Sequence, residues 1–336
     1  TRARAQLGLD ESLNSIPGLV MQNRYNFAQD LRISIRGFGA RAAFGIRGVK
    51  IIVDGIPTTL PDGQGSIDSI DIGSIGNIEV IRGASSSLYG NASGGVISIN
   101  TDFDSHPTGI SGRIATGSDG YRKNQLSFNG RLKNLDYTTH FSDLTVEGYR
   151  QHSEHESRLF NSKLRYRFDD GSTLKVSLNA VDQPVSNDPG GVDINILNTD
   201  RRLAREQNIL LNAGEAIEQQ RIGLIYETNL NQNTQLMLKN YHLWRDFLGY
   251  IPYPPSGVID FERYYAGFGA RITQSLTLER DKQLTWVLGA DIIKQEDYRQ
   301  RFRNDDGNKG ARVLNQDEYV STEAIYMQAN LSINPQ

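Results

Sequence analysis

Two patterns of apolar and polar residues divide the chain. Over residues 1–108 the apolar positions come in short bursts, at 31–35, 49–53, 78–81 and 96–99, each bounded by Gly, Asp or Asn. Bursts of this length between turn formers predict short strands in a compact mixed unit. Ahead of them, Leu9, Leu13 and Ile16 share one helical face and Pro17-Gly18 closes it, which predicts a single short helix. From about Gly109 the period becomes two. Leu164, Tyr166 and Phe168 alternate with Lys163, Arg165 and Arg167, and Leu174, Val176, Leu178 and Ala180 with Thr173, Lys175, Ser177 and Asn179. Ile222, Leu224 and Tyr226 oppose Arg221, Gly223 and Glu227, and similar runs follow to Leu331. Such alternation places one face of each strand in an apolar medium and the other in a polar one.

The connections alternate as well. Short turns are expected near 133–136, 169–171, 231–233 and 280–282, and long polar loops near 147–156, 183–215, 249–260 and 299–317. A meander with its short turns at one end and long loops at the other is the wiring of an outer-membrane barrel. A soluble β-sandwich also alternates, but sandwiches seldom sort their loop lengths this way. Aromatic residues near segment ends, such as Tyr137, Phe168, Trp244 and Tyr264, are compatible with interfacial girdles.

Composition acts mainly by exclusion. The 336 residues carry 36 Lys+Arg against 39 Asp+Glu, a formal charge of −3, so no electrostatic footprint for nucleic acid is present. The absence of Cys removes disulfide scaffolds, thiolate metal sites and cysteine nucleophiles. Mean hydropathy is −0.48 and no apolar run approaches the length of a transmembrane helix. A strand barrel is untouched by that test, because its alternating faces average out as polar. The 33 Gly and 27 Tyr and Phe (15 and 12) fit many turns and strands.

Several motifs tempt an enzymatic reading and fail. Gly37-Phe38-Gly39-Ala40-Arg41-Ala42 matches a dinucleotide fingerprint, yet Gly45, Gly48 and the β-branched run at 49–53 replace the helix that must follow. His152-Ser153-Glu154-His155 has the wrong spacing for one helical face and reads as a solvated loop. Asn304-Asp305-Asp306-Gly307-Asn308 has calcium-loop composition without the downstream Glu, so a polar turn is expected. With neither a nucleophile elbow nor a distinct carboxylate pair, the chain is not expected to be an enzyme, to hold a metal or to carry a cofactor.

Three linked stretches carry a resemblance. They are Leu31-Arg32-Ile33-Ser34-Ile35-Arg36-Gly37-Phe38-Gly39, then Val53-Asp54-Gly55-Ile56-Pro57, then Ile78-Glu79-Val80-Ile81-Arg82-Gly83 running into Ser87-Leu88-Tyr89-Gly90-Asn91-Ala92-Ser93-Gly94-Gly95. In order and spacing they resemble the plug of TonB-dependent outer-membrane receptors, a Gram-negative family of transport receptors. The resemblance implies a mixed α/β plug domain at 1–108, N-terminally incomplete, followed at 109–336 by the first part of an all-β transmembrane antiparallel barrel. About ten strands are countable here, where the family's barrel has about 22. Size supports that reading: a unit of about 100 residues has a radius of gyration near 13 Å and does not fit inside a barrel of about ten strands. The chain is therefore expected to be a fragment. Thr1 lies within the plug, the segment that engages the energy-transducing TonB complex is missing, and Asn334-Pro335-Gln336 resembles the start of another turn.

The resemblance also implies roles. Within the family, Gln22-Asn23-Arg24, Ala28-Gln29-Asp30, Pro61-Asp62-Gly63-Gln64-Gly65, Asp188-Pro189-Gly190-Gly191 and Ser256–Asp260 with Arg263-Tyr264-Tyr265 resemble receptors for pyrroloquinoline quinone. A related Gly-Gln element in ferric-citrate-type receptors keeps a ferric chelate or siderophore as the alternative. A non-transporting adhesin or structural barrel is a distant one, since a passive barrel has no use for a plug. Ligand binding is assigned to Arg41, Phe44, Arg47, Asp62 and Gln64 in the plug loops, with Arg201, Arg202 and Arg205 as electrostatic attractors. Arg36 and Arg82 are implied to lock the plug to wall carboxylates on later strands. Expected partners are the ligand, the TonB complex, outer-membrane lipid and lipopolysaccharide, and phage or bacteriocin; nucleic acid is not among them.

Overall fold

The computed structural model describes residues 4–22, 25–42, 45–83, 89–90, 92–101, 103, 108–253, 257–278 and 282–332. In the N-terminal part, the four expected strands form as β2 (Arg32–Ile35), β4 (Val49–Val53), β7 (Asn77–Arg82) and β8 (Gly95–Asn100). Short pieces β1 (Leu19–Gln22), β3 (Ile46–Arg47), β5 (Ile56–Pro57) and β6 (Gln64–Gly65) join them, and the opening helix α1 spans Asp10–Leu13. The main sheet has the order β5-β4-β8-β7, with β4 and β8 parallel and the other pairs antiparallel. Alternate residues of β4 (Val49, Ile51, Val53) enter a core with Ile97, Ile99, Ile33, Ile35 and the helix residues Leu9 and Leu13. No helix follows Gly39 among the described residues; turns lead into β3.

Two tight features depend on glycine. Asp54 and Gly55 both have positive φ, +54° and +81°, as a two-residue hairpin turn twisted to match its strands requires. Gly95 has φ +138°, and a Cβ there would stand 2.2 Å from the Ile81 carbonyl oxygen.

From Gly109 onward ten strands pair strictly with their chain neighbours, all antiparallel. They are β9 (Gly109–Thr116), β10 (Arg122–Leu132), β11 (Leu135–Val146), β12 (His155–Arg167), β13 (Thr173–Asn187), β14 (Gly214–Asn231), β15 (Thr234–Tyr250), β16 (Val258–Thr277), β17 (Gln283–Asp305) and β18 (Asn308–Ser332). The sheet is open, with β9 and β18 at its edges. Its faces are reversed relative to a soluble protein. In β11 the buried side chains are Asp136, Thr138, His140, Ser142, Leu144 and Val146, whereas Phe141 is exposed. Ile110, Ile114, Phe268, Leu288, Ile292 and Met327 belong to the same exposed apolar face. A sheet that hides its polar face and presents its apolar one is built for lipid on the outside. At its short-turn end Tyr166, Phe168 and Tyr226 stack edge to face, an aromatic group at the rim of that band.

The short turns near 133–136, 169–171 and 231–233 fall where expected, whereas most of 280–282 lies outside the described residues. Of the long connections, 147–156 and 183–215 form, and 249–260 lies partly outside the described residues. The stretch at 183–215 narrows to 188–213 and contains two helices, α2 (Ile194–Thr199) and α3 (Glu206–Leu210). The fourth expectation, a loop at 299–317, is overturned: β17 and β18 run through it as a continuous hairpin. Asp306 and Gly307, at φ +51° and +83°, make the turn, so the polar-turn reading of this motif holds. The error has a physical cause. A membrane needs only about 9–11 residues of tilted strand, and these strands have 23 and 25. Beyond the lipid both faces meet water, so the period-two signal fades although the backbone pairing continues.

Replacing Gly95 with Ala is expected to destabilise the N-terminal unit. The positive φ alone costs on the order of 1–3 kcal/mol, and the clash with the Ile81 carbonyl adds to it. Limited proteolysis of the full-length protein checks this: cleavage confined to 1–108 should accelerate, with the barrel strands still resistant.

Candidate functional site

The polar face of the sheet is lined by the N-terminal unit, and the contact is ionic at three places. Each time the acid comes from the N-terminal unit and the base from the wall. Asp54, in the turn after β4, accepts from Lys163 Nζ at 2.6 Å and also from the Thr101 hydroxyl and amide. Asp68 receives Arg245 at both carboxylate oxygens, 3.2 and 2.5 Å. Asp71 lies 3.4 Å from Lys123, which also donates to the Gln6 carbonyl. All three pairs are largely withdrawn from water. Neutral bonds fill the spaces between them: Asn179 donates to the Ser69 carbonyl and Tyr265 to that of Thr59. One apolar patch joins the two parts, where Ile56 and Leu60 pack on Ile225, Tyr241, Leu243, Tyr265 and Ile293. Gly223 makes room for it, since a Cβ there would overlap Ile56.

At the long-loop end lies a cavity of about 870 Å³. Its walls come from residues 4–7 and 25–29 of the N-terminal unit, the ends of β9 and β10, the 146–153 connection and the tip at 189–191. Tyr25, Phe27, Tyr121 and Tyr149 supply ring surfaces, and Arg113 and Arg150 supply guanidinium groups. Arg150 holds the long 188–213 connection in place through the carbonyls of Pro189, Gly190 and Leu203. Asp188 ties that connection to the N-terminal unit, accepting from Asn26 at 2.7 Å and Gln29 at 3.2 Å. Two stretches that are 160 residues apart in the chain thus form one wall. His155 is part of it, stacked on Phe27 at 4.2 Å and bonded to the Ser186 hydroxyl, while His152 bonds the Ala213 carbonyl. The solvated-loop reading is therefore wrong for His155, whereas His152 does lie in the connecting turn, half-buried. The sequence does not show that Phe27 arrives to cover His155.

The residues expected from the sequence fare unevenly. Arg47, Asp62 and Gln64 come together because β3 pairs with β6: Arg47 lies 3.6 Å from Asp62 and donates to the Asp62 carbonyl and, at 3.4 Å, to Gln64. Arg41 is exposed on a neighbouring turn, and Phe44 lies outside the described residues. None of the described residues Arg41, Arg47, Asp62 and Gln64 lines the cavity. Of the three loop arginines, Arg202 reaches its rim, with the guanidinium 4.8 Å over the Tyr149 ring. Arg201 is exposed away from it, and Arg205 bonds Gln207 at the start of α3. Arg36 and Arg82 lie close together around Gly18 and Gly83: the Arg36 amide bonds the Gly18 carbonyl and Arg82 donates to that of Pro17. Among the described residues neither forms an ion pair with a carboxylate. Sequence reasoning missed Asp54, Asp68 and Asp71 altogether. The only available signal was that Asp54 belongs to a recognisable turn.

Comparison with known proteins agrees with this architecture. Residues 2–96 match the family model described as TonB-dependent Receptor Plug Domain. A vitamin B12 transporter BtuB from Vibrio vulnificus (strain YJ016) is 27% identical over 175 residues, covering 48% of this chain and 27% of that protein. Among solved structures, the unliganded ferric citrate transporter FecA superposes with TM-score 0.78 at 19% identity, over 96% of this chain and 51% of its own. The ferric yersiniabactin uptake receptor FyuA from Yersinia pestis gives 0.73 at 16%, over 96% and 50%. The chain spans about half the length of these solved structures, and a smaller share of the curated relative.

Asp68→Asn is expected to loosen the N-terminal unit from the wall. It removes the bidentate partner of the buried Arg245 and leaves it Gln219 and the fields of Asp30 and Glu215. The loss should therefore approach, without exceeding, the roughly 3–5 kcal/mol typical of breaking a buried pair. Burial pushes the Asp68 carboxyl up, but the Arg245 guanidinium outweighs it and holds the group below its usual range. Because the folded value is depressed, the pair stabilises docking above the unfolded carboxylate value. That contribution is lost only as the pH falls through the lower folded one. The difference in protease access to 1–108 between wild type and the Asn variant should hold from neutral to mildly acidic pH and close only in strong acid. The Asn variant should be accessible throughout.

Proposed function

We propose that the chain is part of a TonB-dependent outer-membrane receptor, a reading supported by the plug-domain match at residues 2–96 and by the fold, and that it serves energy-coupled import of a small, scarce, anionic ligand. The observation that carries this is the plug docked by buried but breakable ion pairs onto a wall whose other face is apolar. A stopper held by polar contacts can be moved without unfolding the barrel. A permanent core would be sealed by apolar packing, which among the described residues is confined to one patch.

Pyrroloquinoline quinone is our first choice of ligand. Its fused rings suit aromatic faces and its carboxylates suit forked guanidinium groups. The cavity at the loop end offers both, in Tyr25, Phe27, Tyr121 and Tyr149 with Arg113 and Arg150, and Arg202 at the rim. A second group, Arg41 with Arg47, Asp62 and Gln64, lies at the plug's turns, although Asp62 offsets part of the Arg47 charge. Ferric citrate is the runner-up, by analogy with the fold of FecA. The loop end would face the outside and the short-turn end the periplasm, where the TonB complex would pull on the plug. Arg36 and Arg82 would meet carboxylates of strands beyond Ser332, and bacteriocins or phages would use the same exposed loops. An adhesin without transport has no need of the docked plug.

Calorimetric titration of the full-length, detergent-solubilised receptor with pyrroloquinoline quinone and, separately, ferric citrate tests the reading. Heat with the quinone that falls at least tenfold in affinity in Arg113→Gln or Arg47→Gln supports it and tells the two sites apart. Heat with ferric citrate alone replaces the ligand, and no heat with either removes both. Independently, Arg36→Ala or Arg82→Ala should let large antibiotics leak into cells that still assemble the barrel. Unchanged exclusion would remove the locking role.

A further inference from the structure

The polar face of the wall is not evenly charged. Many of its cations are matched by wall carboxylates: Asp136 takes Arg165 and Arg167, Glu227 takes Lys175, Asp291 takes Lys239 and Asp297 takes Arg263. Among the described residues Lys123, which meets the plug's Asp71, and Arg271 have no wall carboxylate within ion-pairing distance, and neither do the three neighbours Lys163, Arg221 and Arg245. Strand register places these three on consecutive inward rows. Lys163 pairs across to Ser177 and on to Gly223, Arg221 follows two residues along the same face, and Arg245 pairs with Gln219, two further on. Each row is about 6–7 Å from the next and neighbouring strands are about 4.8 Å apart, so the steps are comparable to the Debye length of about 8 Å.

The plug occupies the two outer positions. Asp54 pairs with Lys163 and Asp68 with Arg245. Arg221 stands between them, 6% exposed, with its Nε unbonded, beside a small void of about 10 Å³ that Asp54 and Lys163 also line. A buried guanidinium left without a full set of partners is costly, and at rest the plug charge that acts on Arg221 is Asp54, which is already bonded to Lys163. Withdrawing the plug would leave three unpaired cations in line down the wall. An anion moving past would be attracted at every step and could replace the departing carboxylates.

We propose that Lys163, Arg221 and Arg245 form a transit stair for anions, capped at rest by Asp54 and Asp68 and uncovered when the plug moves. The inference rests on the transport reading and narrows it: the cargo that follows the plug is a carboxylate-bearing or otherwise anionic solute. Asp30 and Glu215 also act on Arg245, which makes it the weakest step for an anion, and Arg221 the most telling residue to change.

The test uses only potassium and chloride. The full-length receptor is placed in a planar bilayer, its plug is loosened by urea on the periplasmic side, and the reversal potential is measured across a potassium chloride gradient. Wild type should pass chloride in preference to potassium. Arg221→Gln should lower that preference several-fold, and Arg221→Lys should keep it. A wild-type pore that is non-selective or favours potassium overturns the stair. So does an equal loss in the Gln and Lys variants, which would assign Arg221 a structural role instead. Because no cargo is involved, a failed ligand titration leaves this result interpretable. Loss of chloride preference at position 221 with the titration intact would place the stair in transit rather than in ligand capture.

Discussion

Every backbone amide and carbonyl in a lipid-embedded strand must find its partner within the protein, because hydrocarbon offers none. The rest of this structure depends on that constraint. It makes each strand from β9 to β18 pair with its chain neighbour, interrupted by a few bulges near the strand ends. It thereby forces side chains to alternate between lipid and interior. Apolar residues such as Ile114, Phe268 and Met327 are left on the outside, and the interior receives what lipid rejects: Lys163, Asn179, Arg221, Arg245 and Asp136. A wall of this kind cannot pack on an apolar core. Whatever fills it must bring hydrogen-bond partners and opposite charge.

The N-terminal unit meets that demand with acids. Asp54, Asp68 and Asp71 face Lys163, Arg245 and Lys123, and the unit keeps its own apolar core, from Leu9 to Ile99, to itself. The division matters energetically. Buried ion pairs hold position and register strongly, yet their net contribution over separated, hydrated partners is small. The interface can therefore be specific without being permanent. The apolar contact of Ile56 and Leu60 with Tyr241 and Tyr265 is the exception, and even there a glycine, Gly223, sets the fit. The same reasoning applies at the loop end, where Asp188 binds Asn26 and Gln29 and Arg150 holds loop carbonyls. Polar ties link the plug to the rim at which a ligand would arrive.

How much of this was legible depended on whether the signal was local. The Asp306-Gly307 turn was readable because two adjacent residues with positive φ need those residue types. The short turns and the reversed faces were readable because lipid imposes a period of two on every strand it touches. The hairpin at 299–317 was not: above the lipid, water bathes both faces and the period no longer has a cause. His155 was misread for a related reason, since its cover, Phe27, comes from a segment more than a hundred residues earlier.

The sequence alone determined the lipid-crossing part of the strands, the side of each that faces lipid, and the order of a plug followed by an antiparallel sheet. These follow from neighbours in the chain, through periodicity, turn chemistry and motif spacing. Only the tertiary structure decided which charges meet. Arginines at 41, 47, 201, 202 and 205 look alike in a sequence, but one stacks on Tyr149, one is partly neutralised by Asp62, and none docks the plug. That task falls to three aspartates with no distinguishing pattern of their own. A charge acquires its role from the opposite charge, or the absence of one, across a few ångströms of space, and chain order does not encode that distance.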